Sequence, residues 1–214
     1  YIIDYLYFET TNKTILLGKL SLFLTPFFIL LLLNSLNMAD GINGNSTFIV
    51  LSYLFLLFEN NLNLNSIAFS IIPPLLLFLY YNLKNKIYLG DSGIYLLSVI
   101  ISLYVISKYN SNDAIISCEK IFLIFLIPGI DMFRLFILRL LKKRNPFKGD
   151  KNHFHHLLEE KFKAKKTLII YLILINWPNF LIKIFDINVF ILIFINILLF
   201  VLLINYLQKL RKFS

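Results

Sequence analysis

Apolar residues along this chain come in runs of membrane-spanning length, separated by short segments rich in Asn, Gly, Asp and Lys. Runs near 18–38, 47–59, 66–83, 89–107, 120–141, 167–185 and 187–207 predict seven membrane helices, because ~20 apolar residues cross a hydrocarbon core as a helix. The second run is short and is predicted to begin nearer Ile42. Pro128-Gly129 predicts a kink in the fifth, since proline removes one backbone donor and crowds the preceding turn. The last two runs lie so close together that they must form a tight hairpin. The expected fold class is all-α, a polytopic transmembrane helical bundle. It forms a single integral membrane domain over 1–214, with a cytosolic basic and histidine-bearing loop at 142–166.

Composition sharpens this picture. Of the 214 residues 58% are hydrophobic and 15% charged, with a mean hydropathy of +0.76; a soluble domain carries about 25% charge. The single cysteine, Cys118, excludes an intramolecular disulfide. No signal peptide is legible, and no internal repeat supports an inverted-repeat transporter. Ile, Asn, Lys, Phe and Tyr are abundant throughout, so any one Lys or Asn carries little weight.

Basic residues set the orientation, because loops facing the cytosol are enriched in Lys and Arg. If 142–166 is cytosolic, so are the segments near 39–46 and 84–91 and the C-terminal tail. That side then holds fourteen basic residues: Lys84, Lys86, Lys142, Lys143, Arg144, Lys148, Lys151, Lys161, Lys163, Lys165, Lys166, Lys209, Arg211 and Lys212. The other side holds five: Lys13, Lys19, Lys108, Lys120 and Lys183. Arg134 and Arg139 fall in the cytosolic half of the fifth helix. The expected location is a bacterial inner membrane, with the polar clusters on the cytosolic face.

Three polar clusters fall on that face, and a charge near the hydrocarbon core costs ~2.5–3.5 kcal/mol unless function or a water-filled cavity explains it. The first is Asn37-Met38-Ala39-Asp40-Gly41-Ile42-Asn43-Gly44-Asn45. On a helical path Asn37, Asp40 and Asn43 share a face, and the glycines permit close backbone approach to a ligand; an Asn/Gly-rich turn is the plain alternative. The second is Tyr88-Leu89-Gly90-Asp91-Ser92-Gly93. Asp91 there either caps the fourth helix or supplies a carboxylate to Mg²⁺ on a pyrophosphate, which takes one or two carboxylates plus phosphate oxygens and water. The third contains Pro128, Asp131, Arg134 and Arg139, then Asn145 to His156 with Pro146-Phe147 and all three histidines, His153, His155 and His156. A His-x-His-His tract can bind a transition metal, but no cysteine or further histidine completes a tetrahedral zinc site. Imidazoles among dense lysines suit a phosphate-rich ligand better.

Taken in order, these segments resemble the polyprenyl-phosphate N-acetylhexosamine-1-phosphate transferases of glycosyltransferase family 4. That family includes undecaprenyl-phosphate N-acetylglucosamine-1-phosphate transferase and phospho-N-acetylmuramoyl-pentapeptide transferase. Its N-x-x-D-G-x-D-G-like segment is matched by Asn37 to Gly44, with Asn43 in the second acidic position. Its G-D-[ST/A]-G segment is matched by Gly90 to Gly93, and its P-x-x-D-x-x-R by Pro128 to Arg134. A basic Pro-Phe segment is matched by Pro146-Phe147, and H-x-H-H by His153 to His156, in the form of the N-acetylglucosamine branch. The resemblance covers residues ~20–160. Asn43 departs from the family pattern. So does the lack of the family's D-D-x-x-D segment, which with Tyr1 in place of Met leads us to expect that the first helices of the enzyme are absent.

The resemblance implies transfer of a sugar-1-phosphate, N-acetylhexosamine-1-phosphate above all, from a UDP-sugar to polyprenyl phosphate with release of UMP. This is the initiating step of a cell-envelope glycan such as lipopolysaccharide. Mg²⁺, or Mn²⁺ in its place, is the implied cofactor, with Asp91 and Asn37 at the metal. Catalytic roles fall to Asp91, His153, His155 and His156, and substrate-binding roles to Asn37, Asp40, Asn43, Asp131, Arg134 and Arg139. An i,i+3 ion pair is the plain alternative for Asp131 and Arg134. Expected partners are the UDP-sugar, the polyprenyl phosphate and the membrane, with no nucleic acid and a homodimer left open. A non-catalytic membrane remnant, or a fragment of an anion-binding transporter, is the competing reading.

The orientation has a direct test. A cysteine placed at residue 152 on a Cys118-free background should resist impermeant thiol reagents applied outside intact cells, while one within Tyr1–Lys19 should react. Labelling of residue 152 from outside would invert the topology.

Overall fold

A computed structural model of the protein describes residues 1–58, 66–111, 116–146, 151–185 and 187–213, without the side chains of 212 and 213. The expectations placed on Phe147, Lys148, Gly149, Asp150 and Lys212 lie outside that description. The chain opens with an antiparallel hairpin, β1 (Tyr5–Phe8) and β2 (Lys13–Leu16), in which Tyr5 faces Leu16 and Phe8 faces Lys13. One 3-10 turn, Gly18–Leu20, leads into seven helices: α1 (Ser21–Ala39), α2 (Asn45–Leu56), α3 (Ser66–Leu83), α4 (Gly90–Tyr109), α5 (Cys118–Leu141), α6 (Phe154–Phe185) and α7 (Val189–Phe213).

The all-α expectation holds, with corrections. Among the described residues six helices are long and apolar enough to cross a membrane, not seven. The exception is α2, whose 12 residues rise about 18 Å, short of the ~30 Å hydrocarbon core. Ile49, Val50, Tyr53 and Leu54 of α2 are all buried, and α2 packs on α1, α3, α4, α5 and α6. It is an internal strut whose apolarity comes from burial in protein. The hairpin was not anticipated, although Tyr5, Tyr7 and Ile15 are strand formers flanking a polar Glu-Thr-Thr-Asn turn. Helix α5 continues as one helix through Pro128.

Helix α6 begins at Phe154, so the basic segment read as a loop to residue 166 is helical over much of its length. A break at Lys163, with φ 62° and ψ 163°, divides a short histidine-bearing helix from the apolar span. Phe154, Leu157 and Leu158 are buried, which is the i, i+3, i+4 stripe of a packed helix. The two histidines between them and the charged residues that follow hid that stripe.

The core joins α1, α2, α4, α5, α6 and α7 through residues such as Leu36, Tyr53, Ile101, Ile127, Phe154 and Phe200. A smaller cluster of Leu123, Leu126, Val189 and Leu192 ties α5 to α7. Large apolar side chains outside the core, among them Phe23, Leu77, Phe180, Phe194 and Leu202, are exposed, as expected of surfaces solvated by lipid.

The two ends of the bundle are built differently. At one end the hairpin is fastened to α4 and α5: Tyr5 Oη donates to the Tyr109 carbonyl at 3.0 Å, the Tyr7 amide donates to Tyr109 Oη at 2.7 Å, and Lys120 pairs with Glu9 at 2.7 Å. At the other end Asn82, buried at the close of α3, joins two turns. Its Oδ1 accepts from the Gly44 amide at 2.6 Å and its Nδ2 donates to the Ile87 carbonyl at 2.8 Å. Gly44 stands there at φ 88°, where a side chain would be strained and would run into Leu83.

Asn82→Ala should leave the Gly44 amide and the Ile87 carbonyl without their partner. The expected loss is about 1–3 kcal/mol, the cost of buried groups left unpaired, measured by denaturant unfolding in micelles. An unchanged midpoint would show that Asn82 does not join the turns.

Candidate functional site

Seven helices alternating in direction bring the C-terminal ends of α1, α3, α5 and α7 together with the N-terminal ends of α2, α4 and α6. All three polar clusters therefore fall at one end of the bundle, and the first and third are in contact. Neither α2 nor α4 has a side-chain cap at its N-terminus. Their first-turn amides and the positive ends of their dipoles favour an anion at this end.

Asp131 organises the histidine segment. Buried within α5, its Oδ1 accepts from Arg134 Nη2 at 2.7 Å and Nε at 3.2 Å. Its Oδ2 accepts from the Phe154 amide at 3.0 Å and lies 3.2 Å from His153 Nδ1. The carboxylate thus caps α6, and the i,i+3 pair with Arg134 read from the spacing is present. Arg134 Nη2 also donates to the Asn152 carbonyl at 2.7 Å. From α7, Arg211 donates to Asn152 Oδ1 at 2.9 Å and pairs with Glu160 at 3.2 Å.

The three imidazoles form a row. His153 and His155 stack with centroids 5.7 Å apart and planes at 10°, and His155 meets His156 at 4.1 Å. His155 is buried, and among the described residues neither of its ring nitrogens has a hydrogen-bond partner. His156 is half-buried with Nδ1 3.8 Å from Glu159. The row abuts the first cluster: a Cβ built on Gly41 would lie 2.1 Å from His155 Nε2 and 2.8 Å from the His156 ring. Gly41 is thus the residue that lets the α1–α2 turn and the histidine helix touch.

Around Gly41 stand the other members of the first cluster. Asp40, at the C-cap of α1, is half-buried and accepts from Ser46 Oγ. Burial pushes its carboxyl up, the Ser46 hydroxyl pulls it down, and the charge of Asp91 raises it again. The two carboxylates are therefore within electrostatic reach of each other. Asp91 itself is exposed on the first turn of α4, whose N-cap is Leu89; the helix-cap alternative is not what the geometry shows. Asn37 is half-buried one turn before Asp40. Asn43 is engaged by Asn85, its Nδ2 donating to Oδ1 at 2.5 Å.

Arg139 bears on the turn that follows α5. It is buried, donates to the Pro146 carbonyl at 2.8 Å, and closes the turn after α5. Asn82, Asn85, Ser46, Asn152 and Arg211 were not singled out from the sequence, though each holds part of the site. Only Asn82 had a signal, a polar residue ending an apolar run. Among the described residues no group of three or more His, Cys, Asp or Glu side chains is arranged to hold a metal. The Asp40 and Asp91 carboxylates and the side-chain oxygen of Asn37, one helical turn before Asp40, are hard oxygen donors of the kind Mg²⁺ takes.

An apolar cavity of about 320 Å³ lies between α1, α4 and α5, lined by Phe28, Leu32, Val105, Phe125 and Ile130 among others. It runs from Ile3 and Cys118 at the hairpin end to Ser35, Met132 and Phe133, one helical turn from Asn37 and Asp131.

Comparison with known proteins agrees with the motifs. Residues 3–108 match the family model described as Glycosyl transferase family 4. An undecaprenyl-phosphate alpha-N-acetylglucosaminyl 1-phosphate transferase of Thermotoga maritima is 33% identical over 140 residues, 65% of this chain and 43% of the relative. Proteins of the same name from Salmonella typhi and Escherichia coli are 29% and 27% identical, covering 73% and 72% of this chain and 46% and 45% of their own lengths. The chain spans a little under half the length of these curated relatives. No solved structure gives a significant match. The resemblance drawn from the motifs is borne out.

Gly41→Ala forces a methyl group against His155 and His156. The expected cost is about 1–3 kcal/mol, typical of overpacking, read as a lower unfolding midpoint in micelles. A variant as stable as the parent would mean that the histidines do not pack on this turn.

Proposed function

We propose, from this family likeness, that the chain forms the reaction face of a membrane enzyme that moves a sugar-1-phosphate from a UDP-sugar to polyprenyl phosphate. The observation that carries the reading is the contact of the Gly41 turn with the histidine row beside the Asp40–Asp91 pair. These are the segments the family motifs name, and they come from helices far apart in the chain.

In this reading an oxygen of the lipid phosphate attacks the sugar-side phosphorus of the nucleotide pyrophosphate. A P–O bond forms to the lipid, the P–O bond to the bridging oxygen breaks, and UMP leaves with that electron pair. Two anions must approach, so hydrogen-bond donors are needed where charge builds up. His156 at the mouth of the row, with His153 and His155 behind it, would donate to phosphate oxygens. The unpartnered nitrogens of His155 suit that task, because a buried polar group without a partner is costly until something fills the gap. Asp40 and Asp91 would hold Mg²⁺, which supplies charge neutralisation on the pyrophosphate and offsets the repulsion between the two carboxylates. Asn37 would orient the nucleotide or complete the metal shell, and Asn43 would keep the turn in register through Asn85. Asp131, Arg134 and Arg139 serve by holding the segments around the site.

The lipid tail would lie in the cavity between α1, α4 and α5, where transfer of an isoprenoid from bilayer to protein exchanges one apolar solvent for another. The site then faces the cytosol, where nucleotide sugars are available, and the basic residues on that side steer an anionic substrate. N-acetylglucosamine-1-phosphate is the group favoured by the His-x-His-His form and by the names of the relatives.

Labelled transfer from UDP-N-acetylglucosamine to undecaprenyl phosphate, assayed in the complete polypeptide that carries this chain, tests the reading. Asp91→Asn should lower turnover and weaken the response to Mg²⁺ together. His156→Ala should cut turnover by about 10²–10³, as loss of a charge-stabilising donor does, with a smaller change in nucleotide KM. Absence of lipid-linked product, or full activity in both variants, would overturn it.

A further inference from the structure

We infer that Asp131 is a positioning residue that sets the tautomer and direction of His153, while Arg134 and Arg211 lock the turn that carries it. This deepens the proposed function and rests on it, since it says how the histidine row is presented to a phosphate.

The carboxylate of Asp131 can only accept. Its Oδ2 lies 3.2 Å from His153 Nδ1, so the proton of a neutral His153 must sit on Nδ1, leaving Nε2 on the opposite edge of the ring. A second-sphere carboxylate fixes a functional imidazole in the same way at metal sites and in hydrolytic triads. The same Oδ2 accepts the Phe154 amide at 3.0 Å, so the residue after His153 is tied to the same atom as the ring.

The residue before His153 is held as well. The Asn152 carbonyl accepts from Arg134 at 2.7 Å, and its side-chain oxygen accepts from Arg211 at 2.9 Å. Arg211 reaches this turn from the last helix and is braced on Glu160 at 3.2 Å. His153 is therefore fixed at both neighbours and at its ring, and it stacks on His155, which packs against Gly41. An orientation set at Asp131 inside the bundle is passed along the row to the mouth of the site.

A cap alone would not select the tautomer. Asp131→Asn preserves size, and Arg134, which donates two N–H groups to Oδ1, claims the carboxamide oxygen. The NH₂ then takes the place of Oδ2, so the Phe154 amide loses its acceptor and His153 Nδ1 must accept, moving the ring proton to Nε2. The chain has three histidines, so ring-¹⁵N histidine labelling in micelles yields three resolvable rings.

The parent chain should show His153 as the Nδ1–H form, and Asp131→Asn should convert it to Nε2–H. UMP affinity should fall about tenfold or more, as when a partner that orients a functional imidazole is removed, and the unfolding midpoint should fall as well. Arg211→Gln, at an exposed position that does not threaten folding, should keep the tautomer but speed amide exchange at 152–156 and weaken UMP several-fold. An Nε2–H form in the parent, an unchanged tautomer in Asp131→Asn, or undiminished UMP binding in both variants would overturn the inference. A parent chain with the predicted tautomer that binds no UMP would instead overturn the proposed function and leave the role of Asp131 toward His153 standing.

Discussion

A carboxylate buried among apolar helices must find donors for both oxygens, and Asp131 finds them on α5, on α6 and in the turn between. Removing a partner from such a buried charged set typically costs ~3–5 kcal/mol, because the remaining charge has no water to turn to. The consequence reaches beyond stability. With Arg134 and the Phe154 amide on the same carboxylate, the end of α5 and the start of α6 are one unit. The histidine row that begins α6 inherits its position from an atom inside the bundle.

Around that unit the alternation of helix direction does the rest. Three helix N-termini and three polar clusters collect at one end of the bundle, while the hairpin closes the other. The short α2 makes the convergence possible. A helix too short to span can sit largely inside protein, with its uncapped N-terminus buried beside the Asn37–Asn45 turn. Gly41, lacking a side chain, lets that turn reach His155 and His156. Asn82 then ties it to the turn before α4, which carries Asp91.

Much of this was legible from the residues. The long apolar runs became helices because nothing but a helix satisfies its own backbone in lipid, and the charged and histidine motifs pointed to a single face. Hydropathy counting mistook α2 for a span, since burial in protein and burial in lipid select the same side chains. The 142–166 segment was read as loop because its lysines and glutamates masked the Phe154, Leu157, Leu158 stripe, and because its cap, Asp131, lies 23 residues earlier. Asn82 was passed over because asparagine is abundant here, so that one more at a helix end looked ordinary. Arg211 was counted only as a topological charge. Its contact with Asn152, 59 residues away, depends on how α7 packs, which no local pattern encodes.

The central claim is that the α1–α2 turn and the start of α6 form one site for a uridine nucleotide, and photo-crosslinking with an azido-uridine nucleotide tests it most directly. Adducts should map to peptides from both 37–46 and 151–156, and unmodified UMP should compete them away. Adducts confined to the exposed basic turn at 142–144, or adducts that UMP does not displace, would contradict it.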